Sequence, residues 1–316
     1  MKKGLPLLLI LAFVLPQYSQ AQGLVKRKRV LMEVMTGTWC VFCPGSAMGA
    51  DDMVQNGHDI AIVKHHVGDS YQNAASLSRE TLYNVNSYPT TIFNGDDFYS
   101  GGSTNNSLYN AYFGRYQANQ DSTPIDMTMR VVRDGNQMKV QVDVTQVGTY
   151  TGNLVLHVSL TESHIPDSWF GQTEVNFASR GMYPTFSGTS LNLMEGVTQS
   201  YEIIAPVNSS WVVENMEAVV WIQDITTNEV MNADRVKLLF PDQIYEVKAD
   251  AITSNTPAYQ CASDQNEFTI SVLNTDADTV TSMDITYQLN EELASIYNWT
   301  GVLPYEESVD ITLPIV

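Results

Sequence analysis

Two cysteines three positions apart, Cys40 and Cys43, are the residues of this chain best placed to do chemistry. They stand in the run Trp39-Cys40-Val41-Phe42-Cys43-Pro44, between an apolar stretch and a segment that reads as a helix. Pro44 in the first helical turn and Gly57 just past the last are ordinary start and stop signals. On a first turn, a spacing of three brings two sulfurs within bonding distance. The first sulfur faces unpaired backbone N–H groups and the positive end of the helix dipole, and both stabilise a thiolate. The chemistry to expect is thiol–disulfide exchange, with Cys40 attacking and Cys43 resolving.

The same pair has other uses. It could be a static disulfide or an inert thiol pair, or half of a metal site completed by His65 and His66. Adjacent histidines on a strand rarely reach one ion together, so neither a metal nor a cofactor is expected. His65 and His66 otherwise read as polar rim residues, with a proton relay as the alternative role. A second feature is Tyr88-Pro89-Thr90, which opens an internal strand. A proline there is costly unless its geometry has a use.

The elements that must position these residues follow from the apolar pattern. Residues 30–35 read as a strand, 43–56 as a helix, and 60–64 as a buried, continuously apolar strand. A helix over 77–85 precedes a strand at 90–93, the turn Asn94-Gly95 and a returning strand at 98–100. A last helix covers 108–117. After the polar linker 120–124 the period changes to two, as in Ile125, Met127, Met129, Val131 and again Met138, Val140, Val142, Val144. Strands without helices between them indicate an antiparallel sandwich up to about residue 240. Within it, 163–190 is long and rich in aromatics, and is expected to pack over the core.

A third unit begins near Asp242 and holds no Lys or Arg after Lys248. It reads as the opening strands of an immunoglobulin-like sandwich, and the sequence stops inside a strand, which suggests a fragment of a longer protein. At the other end, Lys2 and Lys3, the apolar run 5–15 and Ser19-Gln20-Ala21 have the form of a secretory signal peptide. The expected organisation is therefore a signal peptide (1–21), an α/β domain (22–121), a β-sandwich (125–241) and a partial β domain (242–316).

Composition narrows the function classes. Lys plus Arg total 16 against 35 Asp plus Glu, a net charge of −19, which repels phosphate backbones and excludes nucleic acid as a partner. At 44% hydrophobic residues the chain is too apolar for disorder. The run Lys26-Arg27-Lys28-Arg29 reads as a solvated end ahead of an edge strand, and Asn94-Gly95-Asp96-Asp97 and Asp276-Ala277-Asp278 as turns rather than calcium loops. His157 and His164 stand near no serine motif, so hydrolase chemistry has no support.

The order strand, Trp-Cys-x-x-Cys, helix, strand, helix, Pro-Thr, hairpin, helix resembles the thioredoxin superfamily over residues 25–120. That resemblance implies a cis bond before Pro89, with Pro89 against the cysteines. It also marks a departure: the family's buried acid would fall at Val34, while Glu33 points to the opposite face of its strand. A wider resemblance covers Met35-Thr36-Gly37-Thr38-Trp39-Cys40, Cys43-Pro44, His66, Gly68-Asp69-Ser70-Tyr71, Tyr88-Pro89-Thr90-Thr91 and Asn94-Gly95. With Thr161-Glu162, Ile165, Gln172, Arg180, Pro184 and Gly188-Thr189, these are similar to the Bacteroidetes outer-membrane protein family named for its 28-kDa member. It implies a thioredoxin-like domain joined to a β-rich one, in the periplasm, at the outer membrane or on the cell surface.

The expected function is that of an exported thiol–disulfide oxidoreductase whose partners are exported protein thiols or disulfides, or a redox partner protein. Cys40, Cys43 and Pro89 would be its working residues, supported by Trp39, Pro44, Tyr88, Thr90 and His66. The rival reading is a non-catalytic surface protein that uses the same scaffold and its sandwiches for binding, in association with the cell envelope. Oligomeric state is open. Cys261, far from the pair, is expected to be structural, with its partner in a continuation past Val316.

Overall fold

The computed structural model describes residues 23–134, 136–238, 247–254, 268–274, 279–287, 295–304 and 307–313. The signal peptide, Cys261 and the turn at 276–278 lie outside the described residues. Among the described residues, strands dominate, in several sheets, with three α-helices. The chain divides into two compact units, Met1–Leu238 and Leu239–Val316.

After a two-residue strand at Val25–Lys26, which pairs with Ser122–Thr123, the first unit runs through β1 (Val30–Thr36), α1 (Pro44–Gln55), β2 (Ile60–His66), α2 (Ala74–Leu82), β3 (Thr90–Phe93), β4 (Asp97–Ser100) and α3 (Tyr109–Ala118). It continues with β5 (Ile125–Asp134), β6 (Gln137–Gln146), β7 (Leu154–Glu162), β8 (Ile165–Trp169), β9 (Gln172–Val175) and β10 (Ala178–Tyr183). The unit ends with β11 (Thr198–Pro206), β12 (Met216–Asp224) and β13 (Val230–Lys237). β1 and β2 are parallel, and β3 and β4 continue the sheet antiparallel from β1. Both faces of β1 and β2 are covered, so all seven residues of each are buried, including Glu33, Lys64, His65 and His66, each of which has a polar partner. Val30, Met32, Val34, Ile60 and Ile62 meet Met53 of α1 and Tyr112 and Tyr116 of α3 on one face.

The sheet does not stop at the linker expected at 120–124. Its order is β13-β12-β7-β10-β2-β1-β3-β4, with β10 joined to β2 at Ala178 and Lys64. It then curls until β13 returns to β1. Arg29 bridges Ala233, and the Val230 N–H donates to the Asn94 carbonyl at 2.8 Å. β11, β6 and β5 form a separate three-stranded sheet whose alternate residues Met138, Val140, Val142 and Val144 are buried. The Asn232 amide donates to the Ile125 carbonyl at 2.9 Å and ties that sheet to β13.

This return changes the role of the basic run. Instead of a solvated end, Arg27 is only 5% exposed. Its guanidinium donates to the carbonyls of Val230 and Met231 and pairs with Asp121 at 2.9 Å and Glu229 at 3.1 Å. Arg29 pairs with Asp234 at 3.0 Å. A planar fork with five donors suits such a seam, where carbonyls and carboxylates converge.

Inside the curl lies a polar cluster. The Arg79 guanidinium grips both carboxylate oxygens of Glu33, at 2.7 and 2.6 Å, and donates to Gln223 of β12 at 2.9 Å. The Tyr83 hydroxyl donates to Glu33 at 2.5 Å, and His65 Nε2 lies 3.0 Å from the other oxygen. Burial would raise the Glu33 pKa, but the Arg79 charge and the hydrogen bonds from His65 and Arg79 carry it well below the ordinary carboxylate value. Burial pulls His65 down despite its bond to Glu33. Nearby His157 stacks on Trp221 at 5.1 Å, and burial brings its pKa down to about 3.

The second unit pairs β14 (Val247–Ser254) and β18 (Ser308–Leu313) on either side of β15 (Phe268–Asn274). A hairpin of β16 (Val280–Tyr287) and β17 (Ser295–Leu303) supplies the other layer, with Val272, Val280, Leu303, Ile311 and Leu313 buried together.

Two outcomes follow for the first unit. Arg79→Met leaves Glu33 buried without its counter-charge and should cost about 3–5 kcal/mol in urea denaturation at neutral pH. For His157, the folded pKa lies below the unfolded value of 6.5, so the unfolded state binds more protons below that value. Stability should fall as pH drops from there, by about 2 kcal/mol on reaching roughly pH 5. His157→Phe, which keeps a ring on Trp221, should remove that part of the acid loss when denaturation curves at the two pH values are compared.

Candidate functional site

β1 delivers the chain to the turn before the cysteines. The Cys40 N–H donates to the Gly37 carbonyl and the Cys43 N–H to the Cys40 carbonyl, both at 3.1 Å, so the pair is wound into one tight turn. Cys43 is the helix N-cap and Pro44 follows inside the first turn. The two sulfurs form a disulfide, with Cα atoms 5.4 Å apart. Pro89 is buried, the Tyr88–Pro89 bond is cis, and the Tyr88 carbonyl oxygen lies 3.6 Å from Cys40 Sγ.

The supporting residues expected from sequence surround this pair. Trp39 is half exposed, donates Nε1–H to the Val67 carbonyl at 2.7 Å and meets the Tyr88 ring edge-on at 5.4 Å. Thr90 is buried and donates to the Ser87 carbonyl at 2.9 Å. Gly102, which sequence reasoning passed over, lies so close to Phe42 and Pro89 that a Cβ would stand 2.3 Å from the Phe42 carbonyl oxygen. The next residue, Ser103, donates its N–H to that same carbonyl at 2.9 Å and closes the loop over the turn.

The two histidines are not rim residues. Both are buried, and strand alternation sends them to opposite faces of β2. His65 faces Glu33 inside the curl. His66 faces the cysteine side, where Nδ1 lies 2.7 Å from Asp69. Asp69 also accepts from the N–H groups of Thr38 and Tyr71, at 2.8 and 3.0 Å, and so binds the loop after β2 to the turn before Cys40. Burial would raise the Asp69 pKa, and these bonds, with His66 foremost, bring it below the ordinary value. Cys40, Cys43, His65 and His66 therefore do not converge as a ligand set.

The covering of the cysteines was legible only in outline. Hairpin β8–β9, from the aromatic-rich segment, lays Trp169 and Val175 in one apolar cluster with Cys40, Cys43, Ala47 and Ala178. Cys40 is 4% exposed and Cys43 is fully buried. Trp169 and Phe177 pack as expected of that segment, whereas Phe170 and Phe186 stand half exposed. Next to the hairpin, Thr38, Trp39, Asp69, Ser70, Asp167 and Phe170 line an open groove of about 570 Å³.

Lys64 is a further residue that motif reading misses. It is buried behind the cysteine helix, 3.8 Å from Asp51 of α1 and with its ammonium 5.2 Å above the Phe177 ring. Burial lowers its pKa more than Asp51 restores it. Its signal in the sequence is a lysine directly after the apolar run Ile60-Ala61-Ile62-Val63.

No family model matches the chain, and no curated protein matches it. Solved structures that match include a domain of the outer membrane lipoprotein Omp28 from Porphyromonas gingivalis. It is 20% identical, covers 37% of this chain and 88% of its own, and has a TM-score of 0.29. The sporulation control protein Spo0M from Bacillus subtilis is 10% identical over 60% of this chain and 90% of its own, with a TM-score of 0.27. Red sea bream transglutaminase is 10% identical over 63% of this chain and 28% of its own, with a TM-score of 0.25. At these TM-scores the likenesses assign neither fold nor function.

Removing the carboxylate at position 51 strands the buried ammonium, while removing the ammonium strands only a partly exposed carboxylate. Asp51→Asn should therefore destabilise by about 1–3 kcal/mol, and Lys64→Met by less. Urea midpoints of the two variants check the order.

Proposed function

We propose that the chain is an exported thiol–disulfide exchange protein built on a thioredoxin-like scaffold, acting on exported protein thiols or disulfides or on a redox partner protein. The observation that carries this reading is the Cys40–Cys43 disulfide at the mouth of α1, with the carbonyl preceding Pro89 beside Cys40 Sγ. In this reading a partner dithiol supplies the electrons. Its thiolate attacks Cys40 Sγ, the Cys40–Cys43 bond breaks, and Cys43 leaves as a thiolate that takes up a proton. The partner's second thiol, giving up its proton, then attacks its own sulfur in the mixed disulfide and releases the Cys40 thiolate. Run backwards, the same steps oxidise the partner, and the reduction potential decides the direction. The helix N-terminus favours the thiolate form of Cys40.

The location at the periplasm, outer membrane or cell surface rests on the signal-peptide pattern of residues 1–21 and on the family resemblance in sequence. The second reading, a non-catalytic surface protein, is favoured by one observation: the disulfide is almost wholly buried.

The two separate in a redox titration of the full chain against glutathione, followed by alkylation. An exchange protein gives a reversible two-electron couple, and in the reduced protein Cys40 alkylates faster than Cys43, with an apparent pKa below the free value of about 8.5. Faster alkylation of Cys43 would reverse the assignment, and a pair that never equilibrates with the buffer would favour the scaffold.

A further inference from the structure

Hairpin β8–β9 is set apart from the sheet that carries the cysteines. Its two strands pair only with each other, through Ile165–Val175 and Pro166–Glu174. It is also braced internally: Trp169 Nε1–H donates to the Glu174 carbonyl at 3.3 Å, and His164 Nδ1 lies 3.1 Å from the Glu174 carboxylate. It can therefore keep its shape when it moves.

Its attachment to the body is sparse by comparison. Among the described residues, the hydrogen bonds that reach the other side are the Tyr71 hydroxyl on Asp167 at 2.8 Å, the Asn176 amide on Asp51 at 3.3 Å and, at the neck, the Lys64 N–H on the Phe177 carbonyl at 2.8 Å. Glu174 adds an attraction to Lys64, and the rest is an apolar cluster that Trp169 and Val175 share with Cys40, Cys43, Ala47 and Ala178, with Tyr71 and Tyr88 at its margin.

The hairpin is flanked by two residues that are not glycine yet have left-handed backbones, His164 at φ 54° and Phe177 at φ 58°. Such conformations are costly, persist only where the surroundings impose them, and cluster at segments that switch. Here the surroundings are a neck in which the His164 N–H donates to the Asn176 side chain at 2.8 Å and the Phe177 N–H to Ser163 Oγ at 3.0 Å. Two strained pivots thus bracket a rigid flap whose one large buried side chain, Trp169, belongs to the apolar cluster that encloses the disulfide.

We propose that hairpin β8–β9 is a lid with Trp169 as its plug, and that the Cys40–Cys43 bond is open to attack only when the hairpin lifts about His164 and Phe177. The use of such a lid rests on the exchange reading, but its existence can be tested without any protein partner. It would make partner recognition part of the reaction. A partner that displaces the hairpin gains access at once, whereas a small thiol reacts slowly, in the spontaneous openings through which the pair still equilibrates with a redox buffer.

The test is reduction of the full chain by tris(2-carboxyethyl)phosphine. The phosphine attacks one sulfur, the S–S bond breaks, and water converts the adduct to phosphine oxide and two thiols, which are trapped by alkylation and counted by mass spectrometry. The folded wild type should be reduced at least tenfold more slowly than the same chain in urea. Trp169→Ala should recover at least tenfold, and Tyr71→Phe, which removes one tie and keeps the ring, several-fold. Phe186→Ala, a half-exposed aromatic not packed on the disulfide, serves as the control and should change nothing. If Trp169→Ala does not fold, as read by circular dichroism, Tyr71→Phe carries the test. A wild-type rate equal to that in urea, or rates unchanged in the folded lid variants, would overturn the lid. The exchange reading fails on a different result: an uncovered disulfide in Trp169→Ala that a dithiol protein still cannot reduce.

Discussion

The ion pair between Glu33 and Arg79 is the constraint on which the rest of the first unit depends. A carboxylate in the middle of a strand covered on both faces cannot be left alone, because an unpaired buried charge costs far more than a typical packing defect. Its partner comes from α2, so that helix must sit over the curled sheet at one place and in one rotation. The guanidinium then has donors to spare, and Gln223 of β12 takes one. Tyr83 and His65 complete the shell of the carboxylate. Elements far apart in sequence, β1, β2, α2 and β12, are thereby fixed against each other. β1 is also the strand that ends at the cysteine turn, so the position of Cys40 is inherited from this pairing.

A second constraint follows from charge. The chain has 16 basic residues to set against 35 acids, and among the described residues three of the 16 are buried in places that organise structure. Arg79 holds the interior, Arg27 holds the seam where β13 returns, and Lys64 stands behind α1. Each meets a carboxylate. With so few cations, an acidic chain that spends three inside has specified where its strands must go. This is how a basic run that looks like a solvated end becomes the clasp of a curled sheet.

Local order was legible in the sequence, and distant pairing was not. The alternation of strand and helix from Val30 to Ala118, the turn at Asn94-Gly95 and the helix starting at Pro44 follow from periodicity and punctuation. So does the placement of Glu33 on the face opposite Val34, because side chains on a strand alternate. The curl was not legible. Period two says which face of a strand is buried, but not that β10 joins β2 or that β13 returns to β1. The burial of Arg27, His65 and His66 depends on those joins, so the sequence pattern alone makes all three look more exposed than they are. In the same way, the aromatics of 163–190 are expected to pack, yet nothing in their spacing says that Trp169 joins the apolar cluster around the two cysteines.

That last contact sets two effects against each other at one bond. A helix N-terminus stabilises negative charge on the first sulfur, which favours exchange. An apolar cover removes water from the same sulfurs, which disfavours any charged intermediate there. The two do not act equally in both arrangements of the hairpin. The dipole belongs to α1 and stays when the hairpin moves, whereas desolvation goes with the hairpin. A closed disulfide is thus protected without losing what would make it reactive once uncovered. Trp39, Val41, Phe42 and Phe170 remain substantially exposed in the closed form. They offer apolar surface around the covered bond rather than over it, where a partner could gain contact area before the chemistry begins.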